Sequence, residues 1–312
     1  MKKILARHSP LVILAGLCVV VAVLSPEFRD PRNLQSVAQR TAVVGIVATG
    51  QTLVILTAGI DLSVGSVAAV SGVVACLLMR DVAVPVPLAV IAGALTGLAC
   101  GLLNGFFVTK GRIPPFIVTL GMMMVARGAT LILSGGRQVS GLSDAFAYLG
   151  GAKGWWIPVC ITLTIAVVAS IVLSMTRFGR ALYAIGGNLT AARLSGVPVE
   201  LIRGAAYALC GLLTGFAGVM LASRTSIASP NAGEGLELDA IAACVIGGAS
   251  LMGGEGSAIS SLAGALIMNV LVNFCNLKDI NVYWQSVLVG SLIVILVYYD
   301  NSRKRRAGLL KE

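Results

Sequence analysis

Apolar residues in this chain come in long unbroken runs, not in the alternation of a half-buried strand or the single stripe of a surface helix. Ten such runs stand out, at 11–24, 41–57, 62–79, 86–108, 116–134, 156–175, 205–222, 240–251, 259–275 and 282–299. Most approach the roughly 20 residues a helix needs to cross a bilayer. The pattern therefore predicts an all-α, polytopic membrane protein with about ten transmembrane helices in a single domain over 1–312. The eighth run is short and glycine-rich, which predicts a broken or tilted helix facing protein or a cavity. The first run follows Lys2, Lys3 and Arg7 and has the length of a signal peptide. However, Ser25-Pro26-Glu27 does not form a small-x-small cleavage site, so a retained first helix is expected.

Composition agrees with this pattern. The 312 residues are 57% hydrophobic and 12% charged, against about 45–50% and about 25% in a soluble domain. An ordinary soluble enzyme, a disordered chain and a fibrous repeat are excluded. The net charge of +10 would suit nucleic acid, but its placement gives another cause. With the N-terminus inside and ten spans, the inner segments hold Lys2, Lys3, Arg7, Lys110, Arg112, Arg177, Arg180, Arg193, Arg203, Arg303, Lys304, Arg305, Arg306 and Lys311. Five acids accompany them, while outer basic and acidic residues balance. Cytoplasmic loops carry such an excess, so both termini are expected in the cytoplasm.

Little in the sequence points to catalysis. The seven cysteines lie in or beside apolar runs with no CxxC pair, and the one histidine is His8 in the basic leader. Neither a disulfide framework nor a metal cluster is expected. There is no GxxxxGK[ST], no GxGxxG opening a helix after a strand and no GxSxG. The nearest approach, Gly253-Gly254-Glu255-Gly256, lacks the lysine. The chain is expected to bind no cofactor and to carry no ATPase site of its own.

Two connections are long enough to carry function. The basic stretch 177–203 is helix-compatible and expected on the cytoplasmic side. The stretch 224–239 is expected on the outer side, with Glu234, Glu237 and Asp239. A faint repeat links Gly59-Ile-Asp-Leu-Ser to Gly235-Leu-Glu-Leu-Asp, and the alignment runs without gaps to Gly72 and Gly248. The chain crosses five times between the two helix starts, so they would face opposite ways, as in inverted-repeat transporters. Asp61 and Ser63, with Glu237 and Asp239, form a helix-start signature. It suits capping of free N–H groups and the positive end of the helix dipole, or a functional charge near membrane depth.

Gly93, Gly97, Gly101 and Gly105, and likewise Gly211 and Gly215, recur every fourth residue and suit close helix packing or passage of a solute along bare backbone. Arg127 lies mid-span, either as a structural arginine paired with carbonyls or a carboxylate, or as a functional ion. Gln51, Thr52, Asn104, Asn269, Asn273 and Gln285 are neutral polar groups in or at the ends of spans. They suit interhelical hydrogen bonds or the lining of a path for an uncharged, polyhydroxylated solute. With Arg127, five of them (Gln51, Thr52, Asn104, Asn269 and Asn273) are the translocation candidates. The acids lie at span ends, not mid-span. The chain of buried carboxylates or histidines usual in proton or sodium coupling is missing, so energy is expected from a partner docked on 177–203.

Four blocks together resemble the permease subunits of ribose/xylose/arabinose-type ABC importers. They are Thr57-Ala-Gly-Ile-Asp-Leu-Ser-Val-Gly-Ser66, the segment from Thr176 to Asn188, Ala191-Ala-Arg-Leu-Ser-Gly196, and Gly235 to Ala243 followed by Val245-Ile-Gly-Gly248 and Gly253-Gly-Glu-Gly256. They run in family order across nearly the whole chain. The resemblance implies a ten-helix importer fold with inverted halves and a homodimer with one pathway between subunits. It also implies ABC ATPase subunits below, which bind the ATP and Mg, and a periplasmic sugar-binding protein above. Gly187, Asn188, Ala191, Ala192, Leu194, Ser195 and Gly196 match the segment that couples to the ATPase. The implied cargo is a monosaccharide such as ribose. The alternatives are another small solute (a nucleoside, a branched-chain amino acid or a furanosyl signal molecule) or an ion-coupled carrier.

Overall fold

In the computed structural model, which describes residues 2–306, each apolar run falls on a helix. The order is α1 (Lys2–Leu24), α2 (Pro31–Ile55), α3 (Val64–Asp81), α4 (Val86–Thr109), α5 (Pro115–Ser134), α6 (Trp156–Met175), α7 (Arg177–Gly187), α8 (Leu189–Leu194), α9 (Val199–Thr225), α10 (Leu236–Ile246), α11 (Ala258–Leu277) and α12 (Val282–Arg306). Lys311, counted among the inner basic residues, lies outside the described residues. Among the described residues the one β feature is a bridge between Val139 and Ala228.

Local sequence sets the helix ends. Pro31 and Pro115 open α2 and α5, where the missing N–H is no loss. Asp30, Thr176 and Asn188 accept the N–H groups of Arg32, Gly179 and Ala191 at 2.7, 3.1 and 2.9 Å. Asn188 thereby ends α7 and starts α8, which splits the helix-compatible stretch 177–203 into two short helices and the start of α9.

Among the described residues six helices are long and apolar enough to cross a membrane: α3, α4, α5, α6, α9 and α11. The apolar part of α1 is shorter, at Pro10–Leu24. The first half of α2 carries Arg32, Gln35, Gln39 and Arg40. α10 has 11 residues, since Gly247 and Gly248 end it inside the run 240–251, the second at φ 87°.

α9 lies at the centre, packed on α2, α3 and α4. Its glycines meet those of α4 backbone to backbone. A Cβ on Gly97 would overlap Gly211 and Gly215, and one on Gly101 would overlap the Tyr207 carbonyl. This is the close approach that small residues at four-residue spacing permit. α4, α5 and α6 turn large apolar side chains outward, among them Leu95, Phe106, Met124, Ile132 and Val168. Water would not tolerate so much contiguous apolar surface, and a bilayer would.

Candidate transport core and coupling face

The deepest charged group is Asp61. After α2 the chain turns back on itself, with the Thr57 hydroxyl donating to the Val54 carbonyl at 2.9 Å and Ala58 in the left-handed region. Residues 59–63 then return into the protein before α3 begins. The start of α3 is thus not at the surface, and Asp61 is 2% exposed. An acid at the end of an apolar run is here an interior acid, because the connector folds inward. Its Oδ1 accepts from the Ser63 N–H at 2.9 Å and the Ser63 hydroxyl at 2.6 Å. The Asn104 amide lies 3.0 Å from Ser63 Oγ and 3.4 Å from Asp61 Oδ2. Asp61 closes a turn ahead of the helix, and the Ser63 side chain makes no cap bond.

Near this acid sit two polar atoms without a protein hydrogen-bond partner, Asn104 Oδ1 and Tyr207 Oη, while Gln51 Nε2, also unpartnered, lies on α2 beside Cys210. Tyr207 packs its ring end on Gly59, where a Cβ would collide with it. Among the described residues no cation pairs with Asp61. A buried, unpaired carboxylate is expensive, so this setting favours the neutral form of the acid.

The other neutral polar residues fall elsewhere. Thr52 Oγ1 lies 2.7 Å from the Ala48 carbonyl and 2.8 Å from Ser261 Oγ on α11. Asn269 donates to the Ala265 carbonyl of its own helix at 2.9 Å. Asn273 and Asn33 exchange amide bonds at 2.7 and 3.0 Å, tying α11 to α2. Gln285 donates to Asn276 at 2.7 Å and to the Ile280 carbonyl at 2.9 Å. Of the translocation candidates only Asn104 contacts Asp61; Thr52 and Asn273 join α2 to α11, Asn269 bonds within its own helix, and Gln51 meets Cys210.

The stretch 224–239 does not lie flat on an outer face. It finishes α9, passes back along α3, and turns into α10 at Gly235. Where Gly218 of α9 lies beside Ala68, the returning chain has reached Gly65, against which Gly233 and the Glu237 carboxylate pack. A cavity of about 250 Å³ separates this segment from Ala68, Gly72 and Gly218. Arg127 holds the segment in place: its guanidinium donates to the Pro230 carbonyl and, at 3.2 Å, to that of Ala232. Glu234 is exposed, and Glu237 and Asp239 are half-buried in the first turn of α10.

At the opposite end, α7 and α8 present a polar face. Gly187, Asn188, Ala191, Ser195 and Gly196 are exposed, Leu194 is 85% exposed, and Ala192 faces inward onto Ile185 and Val199. Beneath them, Gly186 sits on the Leu56 carbonyl and on Gly254, leaving no room for a Cβ. The Gly254 N–H donates to the Leu56 carbonyl at 3.1 Å, and Tyr183 Oη donates to the Gly256 carbonyl at 2.8 Å. The segment Gly253-Gly254-Glu255-Gly256 is therefore a wedge between α7 and the connector that carries Asp61. Neither this wedge nor Gly186 stood out as a site residue in the sequence. The clustered glycines were the available signal. Among the described residues no three His, Cys, Asp or Glu converge to hold a metal ion.

Residues 33–297 match the family described as branched-chain amino acid transport system / permease component. The chain belongs to this permease family. It is 42% identical over 306 residues to the ribose import permease protein RbsC of Escherichia coli, covering 96% of this chain and 95% of that one. It is 40% identical to the ribose import permease protein RbsC of Bacillus subtilis, covering 96% of this chain and 94% of that one. The L-arabinose ABC transporter permease protein AraH of Azospirillum brasilense is 36% identical, covering 99% and 91%. No solved structure matches. Membership of the permease family, with six apolar spans, makes this a multi-pass inner membrane protein.

Proposed function

We propose that the chain is the membrane-spanning permease subunit of an ATP-driven ABC importer for a monosaccharide, ribose or a similar sugar. Similarity along almost the full length to a ribose import permease carries the reading. ABC ATPase subunits and a periplasmic sugar-binding protein complete the importer. ATP and Mg bind to the ATPase, and this chain has no ATPase site. The ten apolar runs all cross the membrane, both termini are cytoplasmic, the halves are inverted repeats and two copies enclose one pathway. The basic inner segments support the orientation.

The geometry supports a route for the energy. The exposed residues of α7 and α8 offer the ATPase a docking face, with Leu194 as its apolar anchor. Movement of α7 is passed through Gly186 and Gly254 to Leu56, and through the connector to Asp61 and α3. The stretch 224–239 offers Glu234 and its exposed neighbours to the binding protein.

Reconstituted with its partners, the permease should take up ribose only with both ATP and the binding protein present. Uptake without the ATPase sinks the reading and favours an ion-coupled carrier. Gly187 has open space around it, so Gly187→Leu should leave assembly intact while ATP hydrolysis continues with uptake reduced about tenfold or more. Unchanged coupling removes the docking role. The family description favours a second cargo, a branched-chain amino acid. A ligand screen of the binding protein separates it from the sugar.

A further inference from the structure

The α4–α5 turn, α8 and the first turn of α9 enclose a cavity of about 400 Å³ at the same end as the coupling face. That volume lies within the roughly 300–1,000 Å³ of small-molecule sites. Three guanidinium groups line it, from Arg112, Arg193 and Arg203, with one carboxylate, Glu200. Arg193 pairs with Glu200 at 2.6 Å. Among the described residues Arg112 and Arg203 have no carboxylate partner, and the Arg203 Nε is buried without a hydrogen bond. Lys110 stands close enough to act on Glu200. The cavity therefore holds a net positive charge and unspent donors suited to an anion with several oxygens.

Its surroundings select among anions. The turn leads directly onto outward apolar side chains of α4 and α5: Phe106 and Phe107 on one, Phe116 and Ile117 on the other, each between 43% and 58% exposed. A soluble anion has no use for such a surface, whereas a lipid needs both parts. We propose that the cavity seats the phosphodiester headgroup of an anionic phospholipid, with its acyl chains along the outward faces of α4 and α5. Basic pockets at the cytoplasmic ends of membrane helices suit such headgroups. The leaflet rests on the orientation proposed above, while the lipid contact itself does not.

The test uses the full-length permease without partners. The detergent-solubilised protein is titrated with phosphatidylglycerol or phosphatidylcholine of matched chains, and bound lipid is counted by native mass spectrometry. Phosphatidylglycerol should be retained about tenfold better. R112Q/R203Q should abolish the preference, and R137Q, at the other end, should keep it. Equal retention of the two lipids by the parent overturns the proposal even where a variant fails to fold. So does a preference that survives R112Q/R203Q. Millimolar inorganic phosphate should not displace the lipid, and displacement would show a free-anion site instead. Lipid should also remain when the ATPase is added, since its loss would assign the cavity to the partner. Transport is not read in any arm, so failure here leaves the importer reading standing.

Discussion

The starts of α3 and α10 have similar sequences and different structures. Both place an acid two residues after a glycine, Asp61 after Gly59 and Glu237 after Gly235. In the first, the acid is sealed inside, held by Ser63 and Asn104, and followed by an 18-residue helix. In the second, the acid is half-buried, and its helix stops after 11 residues. The two starts nevertheless meet, Gly65 against Gly233 and Glu237. The difference lies outside the shared motif: an inward-folding connector precedes one, and a segment clamped by Arg127 precedes the other. A motif of this kind specifies a helix start, and the flanking chain decides its depth and length.

The largest effect should come from filling the junction. Gly65→Leu or Gly233→Leu forces a side chain into backbone and should destabilise by about 3 kcal/mol or more, read as a lowered melting temperature of the purified permease. A wild-type melt in both would separate the two starts and end the comparison. Next comes the clamp. Arg127→Met strands the Pro230 and Ala232 carbonyls, at about 1–3 kcal/mol per stranded group, with Arg127→Lys intermediate. An effect no larger than that of an exposed arginine such as Arg137 would show that the returning segment holds itself. The smallest effects sharpen the contrast between the acids. Asp61→Ala should cost about 2 kcal/mol by orphaning the Ser63 N–H and the Asn104 amide, while Asp61→Asn keeps the acceptor and should stay within about 1 kcal/mol. Glu237→Gln should shift stability by about 0.5 kcal/mol or less. If Glu237→Gln matched Asp61→Ala, the two acids would be equivalent after all.

The all-helical membrane class was legible because long apolar runs have one dominant solution in a bilayer. The glycine spacing likewise announced the α4–α9 contact. The remaining features depend on distance in sequence. The partners of Arg127 lie more than 100 residues away, and no local pattern could choose carbonyls over a carboxylate. Asp61 read as an acid at a span end because the run 62–79 starts beside it, and the inward fold of residues 56–63 leaves no hydrophobic signature. Phe146 and Gly150, which meet Ser223 through hydrogen bonds near the C-terminal end of α9, sit in a loop whose mixed composition gave no hint of order. Thr52, Asn269 and Asn273 were identifiable as polar, but whether a polar side chain bonds a neighbour or lines a path is decided by which helix faces it.

The glycine seam between α4 and α9 has a mechanical consequence. Bare backbones touch from Gly93 beside Gly215 to Gly105 beside Gly204, so neither helix can slide along the other without its carbonyls colliding. The pair behaves as one strut. Any rearrangement that opens a passage must bend the protein where longer, softer side chains separate the helices, and the strut sets the axis about which the rest turns.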